Sequence, residues 1–396
     1  MKVITDEKKI EEVLNRGVQN IFVREELKKK LLSGEKLKVY LGIDPTGPTL
    51  HMGHAIPLKK LKQFQELGHQ VILLMGDFTA MIGDPTDKTT ARKQLSRQEI
   101  LNNLKKYKKQ ASVFLKFTGE NKAEFKFNSK WLSKMNTAEI LNLASHLTVD
   151  QMQKRDMFVR RNEEGKPVFL HEFFYPLLQG YDSVAMKVDV EVGGNDQMFN
   201  MLVGRHLSRA ILQKDKAVIT MKILEDNTGK KMGKTEGNML SFEDSPNEMF
   251  GKVMSWNDSL INMGFELCTD VQEAEISKNQ NPRDLKMKLA FEIVKIYHGE
   301  KKAKEAEENF VNTFQKREIP NDVLVVPSPA YEISIVDYVV ETGLSKSKSD
   351  ARRKIEQGGV ELGGKKIIDP KKILSSEEDD GKILKVGKKD FIKIKF

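Results

Sequence analysis

The first 225 residues alternate short apolar runs with stretches of helical spacing. Lys38-Val39-Tyr40-Leu41 reads as a strand that ends at Gly42, and Asp44-Pro45-Thr46-Gly47-Pro48 is turn chemistry. Apolar residues at Ile56, Leu58, Leu61, Phe64 and Leu67 predict a helix from about Leu50 to Leu67. Val71-Ile72-Leu73-Leu74-Met75 is a second strand. Val188-Asp189-Val190-Glu191-Val192 alternates as a third, and Gly193-Gly194-Asn195-Asp196-Gln197 then opens a helix. A strand that ends in Gly-Gly at a helix start is a common ligand crevice in open α/β sheets. This pattern predicts an α/β domain over residues 1–225, interrupted by a connecting segment at 101–170. Phe114, Phe117, Phe125, Phe127, Trp131 and Leu132 make that segment apolar enough for a subunit interface or for a cluster buried within the chain. From 226 to 325 the spacing is helical, as in Leu285–Val294 and a charged helix over 300–317, and Pro320, Pro327 and Pro329 mark a linker. Residues 331–396 read as a small α+β unit: an apolar start at Ile335–Val340, a basic helix start over 346–355, then short strands around Gly358-Gly359 and Gly363-Gly364.

Composition narrows the class. A chain of 396 residues predicts two to three domains. Charged residues make up 31%, and apolar runs stop at about five residues, far short of a membrane span. Met1-Lys2-Val3-Ile4-Thr5-Asp6 has no signal-peptide core, and the single Cys268 gives no disulfide framework, so a cytoplasmic protein is expected. The formal charge of +9 suits a polyanionic partner, although many lysine-rich chains bind none. Residues 331–396 hold 15 Lys and Arg against 12 Asp and Glu, so 15 − 12 = +3. The local cluster at 346–354 therefore matters more than the total; by charge alone it is equally a solvated helix face.

Three constellations carry chemistry. His51-Met52-Gly53-His54 sits where the helix after the first strand begins. The two imidazoles, three apart, share a face of a first turn whose free N–H groups favour a polyphosphate, and Gly53 lets a base or ribose approach the backbone. A lone H-x-x-H is as readily a surface pair. Nothing here points to a metal centre, since no H-E-x-x-H and no third ligand at a telling spacing accompany it. Lys230-Lys231-Met232-Gly233-Lys234-Thr235, flanked by Gly229, would be a loop that brings cations over a leaving pyrophosphate. By itself it is an ordinary basic loop. In His171–Asp182, residues Tyr175, Gln179 and Asp182 fall at i, i+4 and i+7, one polar face among apolar neighbours. That suits a pocket wall, or an interior helix with a few satisfied polar groups.

The histidine and lysine segments, in this order, resemble the two signatures of the class I aminoacyl-tRNA synthetases. Tyr175-x-x-x-Gln179-x-x-Asp182, with Tyr40 at the end of the first strand, resembles the tyrosyl-tRNA synthetases, and the likeness runs from about residue 20 to 396. It implies a Rossmann-like parallel-sheet catalytic domain, an α-helical domain toward the anticodon arm, an S4-like RNA-binding domain at 331–396, and a homodimer through the connecting segment, with no membrane association. It implies that tyrosine is held by Tyr40, Asp84, Tyr175, Gln179, Asp182 and Gln197, and ATP by Gly42, Asp44, Gly53, Gly194, Asp196 and Lys234. The phosphates fall to Thr46, His51, His54, Lys88, Arg92, Lys231, Lys234 and Thr235. Leu41 and Pro57 stand where some members carry a polar residue near the ribose, which bears on ATP affinity and not on the reaction. Tyrosine carboxylate would attack the ATP α-phosphorus, with Mg²⁺ arriving on ATP and no general base, because the carboxylate is already ionised at pH 7. Tyrosyl would then pass to the 3′ end of tRNA(Tyr), with Lys348, Arg352 and Arg353 as the RNA contacts. A tryptophanyl-tRNA synthetase would not want Asp182 at the phenol end, and a small-molecule nucleotidylyltransferase or amide ligase would not need residues 331–396. An RNA-binding protein with a dead catalytic core would not keep the histidines, lysines and Asp182.

Overall fold

The computed structural model describes residues 2–84, 95–225, 239–276, 281–314, 323–387 and 390–396. Six strands form the first sheet: β1 (Val18–Phe22), β2 (Lys38–Ile43), β3 (Gln70–Met75), β4 (Glu124–Phe127), β5 (Val190–Gly194) and β6 (Ala217–Met221). Their order is β1-β6-β5-β2-β3-β4. All neighbours are parallel except β1, which closes one edge antiparallel to β6. The unbroken apolar run of β3 is buried from Val71 to Met75, as a parallel strand covered on both faces requires. The third strand starts two residues later than alternation predicts, because the Val188 N–H is taken by the carbonyl of Ser183 at the preceding helix end.

From β2 the chain goes out to β3 and β4, then returns by the helix Leu170–Met186 to β5 on the other side of β2. The direction of winding reverses between β2 and β5, and such a reversal opens a crevice at the carboxyl ends of the strands. The helices Leu170–Met186 and Met198–Leu212 cross where Gly180 meets Gly204; a Cβ on Gly180 would lie 3.1 Å from the Gly204 nitrogen.

Two compact units divide at Glu300/Lys301. The helices Pro246–Met254, Ile261–Cys268 and Pro282–His298, expected from sequence in a separate segment of 226–325, cluster with the sheet. The reason is visible at the N-terminus. The Arg16 guanidinium donates to the carbonyls of Phe265, Glu266, Thr269 and Val271, and the Lys59 ammonium to that of Thr269. These cations stitch the end of the helix Ile261–Cys268 to the N-terminal segment and to the helix Met52–Glu66.

The second unit, Lys301–Phe396, carries the charged helix that begins at Glu300 and is described to Phe314. Its sheet joins β7 (Leu324–Pro327), β9 (Val360–Leu362), β10 (Lys365–Ile367), β12 (Ile383–Val386) and β13 (Asp390–Lys395) in the order β10-β9-β12-β13-β7. β8 (Glu332–Ser334) and β11 (Ile373–Ser375) pair separately. The helices Ile335–Glu341 and Lys348–Glu356 share with these strands a core of Ile335, Tyr338, Val339, Ile355, Val360, Leu384 and Ile394. Among the described residues no helix is long and apolar enough to cross a membrane.

Candidate active site

The crevice between β2 and β5 is a cleft of about 550 Å³. It is lined by Tyr40, Gly42, Asp44, Thr46, His51, Gly53, His54, Asp84, Tyr175, Gln179, Asp182, Gly194, Asp196 and Gln197. Every predicted site residue of the first unit that is described thus meets in one place. Leu41 and Pro57 line it too. Pro57 lies inside the helix Met52–Glu66 and offers no N–H to the carbonyl of Gly53 one turn back. Lys88 and Arg92 lie outside the described residues, as do Lys231, Lys234 and Thr235.

One end of the cleft is enclosed. Asp182, buried on the helix Leu170–Met186, accepts from Trp131 Nε1 at 2.8 Å and from Asn128 Nδ2 at 3.2 Å. Burial outweighs those two bonds and holds its carboxyl well above the usual carboxylate range. Tyr40 is 1% exposed, and its hydroxyl lies 3.0 Å from Ser183 Oγ. Burial, with Glu191 and Asp182 nearby, pushes that phenol well above its ordinary value. Sequence reading set Trp131 in a subunit interface or in a cluster buried within the chain. Its indole nitrogen faces into the chain and, with the fully buried Asn128, fixes Asp182.

In the middle, Asp44 accepts from Thr79 Oγ1 at 2.8 Å and from the Tyr175 hydroxyl at 2.9 Å. This needs glycine at position 76, where a Cβ would sit 1.9 Å from Asp44 Oδ1. Asp84 accepts from Gln197 Nε2 at 2.7 Å and from Arg155 Nη2 at 3.0 Å, a buried ion pair with the connecting segment. Sequence reasoning passed over Arg155, Ser183, Asn128 and the buried pair Glu191–Lys216. A signal existed for the last, since a carboxylate between Val190 and Val192 on a strand covered on both faces requires a buried partner.

At the open end, His51 and His54 cap the helix Met52–Glu66 with their rings. His51 Nδ1 accepts the Gly53 N–H at 3.2 Å, and His54 Nδ1 accepts the His51 N–H at 3.2 Å. A neutral ring that accepts at Nδ1 carries its proton on Nε2. Desolvation, with His51 beside it, holds His54 well below the usual histidine range, so it is neutral at pH 7. The segment after the lysine motif docks on this same stretch. Ser241 forms a β-bridge with His51, and Met52 and Phe242 exchange backbone bonds with Leu240 and Leu50. Gln110 braces both strands of this contact by accepting the Leu50 N–H at 2.8 Å and donating to Thr49 and Glu243.

On the second unit, Arg352 is exposed, while Lys348 pairs with Asp337 at 2.7 Å and Arg353 with Asp350 at 2.6 Å.

The chain matches two family models, "tRNA synthetases class I (W and Y)" over residues 32–315 and "Tyrosine--tRNA ligase SYY-like C-terminal domain" over 316–394. It is 46% identical to the tyrosine–tRNA ligase of Thermotoga maritima, over 96% of each chain. It is 44% identical to tyrosine–tRNA ligase 2 of Clostridium acetobutylicum, over 100% of this chain and 99% of that one. In fold it is similar to a C-terminally truncated mitochondrial tyrosyl-tRNA synthetase of Aspergillus nidulans (TM-score 0.65, 24% identity, 77% of this chain and 94% of that one). It is also similar to a tyrosyl-tRNA synthetase of Archaeoglobus fulgidus (TM-score 0.60, 20% identity, 76% and 99%). With family models over both units and relatives along its whole length, the chain belongs to the tyrosine–tRNA ligases of the class I tRNA synthetases.

Proposed function

We infer that the cleft carries out the family's reaction, the ATP-driven ligation of tyrosine to tRNA(Tyr). The observation that supports this most is the enclosed end, where Tyr40 and Asp182 converge with their polar atoms desolvated. A tyrosine side chain placed there gives its hydroxyl to these groups; phenylalanine leaves them unpaired, and an unpaired buried polar group costs about 1–3 kcal/mol. Asp44, Tyr175, Gln179, Asp84 and Gln197, next along the cleft, would hold the α-ammonium and keep the carboxylate near the phosphates. Gly42, Gly53, Gly194 and Asp196 would take the nucleoside of ATP.

In the first step a carboxylate oxygen of tyrosine bonds to the α-phosphorus and the bond from phosphorus to the bridging oxygen breaks, giving tyrosyl-adenylate and pyrophosphate. The work left to the protein is alignment and stabilisation of developing charge. His51 and His54 would donate from Nε2 to phosphate oxygens, not exchange protons. Thr46, with Lys88, Arg92, Lys231, Lys234 and Thr235 on segments outside the described residues, would neutralise the leaving group. Mg²⁺ would enter on the polyphosphate of ATP. In the second step a ribose hydroxyl at the 3′ end of tRNA displaces AMP.

We further read the first unit as Rossmann-like and the second as S4-like and RNA-binding through Lys348, Arg352 and Arg353; the surface ion pairs of Lys348 and Arg353 are weak enough for phosphate to displace. A homodimer through the connecting segment is supported by Leu141, Val149, Phe169 and Leu170, large apolar side chains left exposed there.

The test is amino-acid-dependent ATP–pyrophosphate exchange with tyrosine, tryptophan and phenylalanine in parallel. Exchange with tyrosine alone is expected. Exchange with tryptophan would overturn the pocket assignment, and exchange with none would overturn the catalytic reading.

A further inference from the structure

The loop that joins β2 to the helix Met52–Glu66 carries Asp44, Thr46 and His51 past the cleft, yet it has little regular structure of its own. Residues 45–50 are neither helix nor strand, and Pro45 and Pro48 bring no N–H. Within the loop the Thr46 N–H returns to the Asp44 carbonyl at 2.8 Å. Both ends are fixed: Asp44 by Thr79 and Tyr175, and Leu50 to Met52 by the backbone bonds to Leu240 and Phe242. The backbone groups between those ends still need partners where water is kept out.

Those partners come from the connecting segment. Asn103 Nδ2 donates to the Pro45 carbonyl at 2.9 Å, and the Tyr107 hydroxyl donates to the Gly47 carbonyl at 2.6 Å. Gln110 Oε1 accepts the Leu50 N–H at 2.8 Å, while its amide nitrogen donates to Thr49 Oγ1 and Glu243 Oε1, both at 3.3 Å. Positions 103, 107 and 110 are i, i+4 and i+7. They stand on the short helices Arg97–Leu104 and Tyr107–Ala111, and Lys105 and Lys106 between these keep right-handed helical dihedrals, so all three fall on one face. That face touches the loop at residues 45, 47 and 50 in turn. Tyr107 is 1% exposed and Gln110 8%. Packing does not require such residues, because Ile100, Ala111 and Leu115 already supply the segment with buried apolar side chains. A polar group withdrawn from water costs free energy unless its bonds are made, so the ladder of bonds to the loop is what accounts for Tyr107 and Gln110.

We propose that Asn103, Tyr107 and Gln110 are positioning residues for adenylate formation: they hold the loop 45–50 in place, and through it Thr46 and His51, where charge develops on the phosphates. The proposal rests on the reading of this cleft as the ATP site. Tyr40, Gln179 and Asp182, toward the enclosed end, have no bond to the ladder among the described residues. Binding of the amino acid therefore does not depend on it. A loop free to shift by a fraction of an ångström still admits ATP, but its donors no longer meet the transition state. The cost of losing the ladder falls on kcat. The connecting segment thus has a task within its own chain, apart from any subunit interface.

The test uses the full-length enzyme. Tyrosine Kd is measured by calorimetry without ATP, and kcat by pyrophosphate exchange at saturating tyrosine and ATP, in Tyr107→Phe and Gln110→Met. Tyr107→Phe loses one hydroxyl and keeps the buried ring. Its kcat should fall by about five- to ten-fold, the scale of one lost hydrogen bond. Gln110→Met also leaves the Leu50 N–H without its acceptor, so its kcat should fall by about ten-fold or more. Tyrosine Kd should stay at the wild-type value in both. Lys109→Gly is the control: the side chain is exposed on the same short helix, and glycine weakens that helix without touching the loop. It should keep the wild-type kcat. A loss in Lys109→Gly equal to that in Tyr107→Phe would mean that the helix matters and its bonds do not, and would overturn the proposal. So would a wild-type kcat in Tyr107→Phe, or tyrosine affinity that falls together with kcat. If Gln110→Met does not fold, Tyr107→Phe decides. A wild-type enzyme without tyrosine-dependent exchange would overturn the reading of the site itself.

Discussion

The tyrosine cleft of the first unit and the basic helix of the second unit use charge in opposite ways. In the cleft, Asp182, Glu191 and Lys216 are withdrawn from water, and each has named partners: Trp131 and Asn128 for the first, Ser183 and each other for the other two. On the helix Lys348–Glu356, the side chains of Lys348 and Arg353 are 64% and 68% exposed, and their ion pairs stand in water. A buried polar group has one correct partner and costs free energy when that partner is wrong, so it encodes identity. An exposed cation gains little from any one anion and is screened by salt, so it encodes attraction without identity. On this reading choice of amino acid would belong to the cleft, and this helix would contribute affinity for a polyanion.

The largest effect should come from the buried side. Asp182→Ala removes the proposed acceptor for the substrate phenol and leaves the Trp131 and Asn128 donors without theirs. Tyrosine-dependent exchange should fall by at least about 10³-fold, the scale of a lost charge-assisted bond plus the unpaired donors around it. The circular dichroism spectrum should stay that of the wild type. Normal tyrosine turnover in this variant would break the assignment of identity to buried groups.

What was legible in the sequence follows the same division. The His51-x-x-His54 cap and the Gly-Gly end of β5 are local devices, visible because turn and cap chemistry is written within a few residues. Tyr175, Gln179 and Asp182 were readable because one helix carries all three. The partners were not. Trp131 and Asn128 reach Asp182 from more than 50 positions away, and Tyr40 and Ser183 are 143 apart, so only the sheet order brings them together. Trp131 shows the limit plainly. Read as an apolar residue, it suggested a subunit interface or a cluster buried within the chain, and neither reading gave its one polar atom a partner. The helices after residue 245 were recognisable as helices, but their place against the sheet depends on Arg16 and Lys59, cations whose acceptors are backbone carbonyls and leave no mark in sequence.

On the exposed side the expected change is smaller and of a different kind. Arg352→Ala with Arg353→Ala should raise the tRNA KM in aminoacylation by about three- to ten-fold and leave pyrophosphate exchange untouched. The logarithmic dependence of tRNA affinity on salt should lose about one unit of slope for each phosphate contact removed. An unchanged salt slope would place the RNA contacts elsewhere.

A third kind of charge sharpens the comparison, one that is buried with no carboxylate bonded to it among the described residues. Lys60 is 2% exposed, and its ammonium donates to the carbonyl of Val13 at 2.6 Å. Burial, then the neighbouring Lys59, lowers its pKa to about 7. The unfolded chain keeps that proton to about pH 10.4. Between about pH 7 and pH 10 the unfolded state therefore binds more protons than the folded one, and stability from this residue rises with pH across the window. Below it both states are protonated, and the cost of burying the charge is present in full. Lys60→Met removes the charge and keeps most of the volume, so at pH 7 it should melt a few degrees above the wild type. The gap should close as the pH is raised to 9.5, read from paired thermal denaturation curves. A gap that stays constant over that window would mean that Lys60 keeps its proton in the fold, and that a single backbone carbonyl can support a buried cation as well as the carboxylate that holds Lys216.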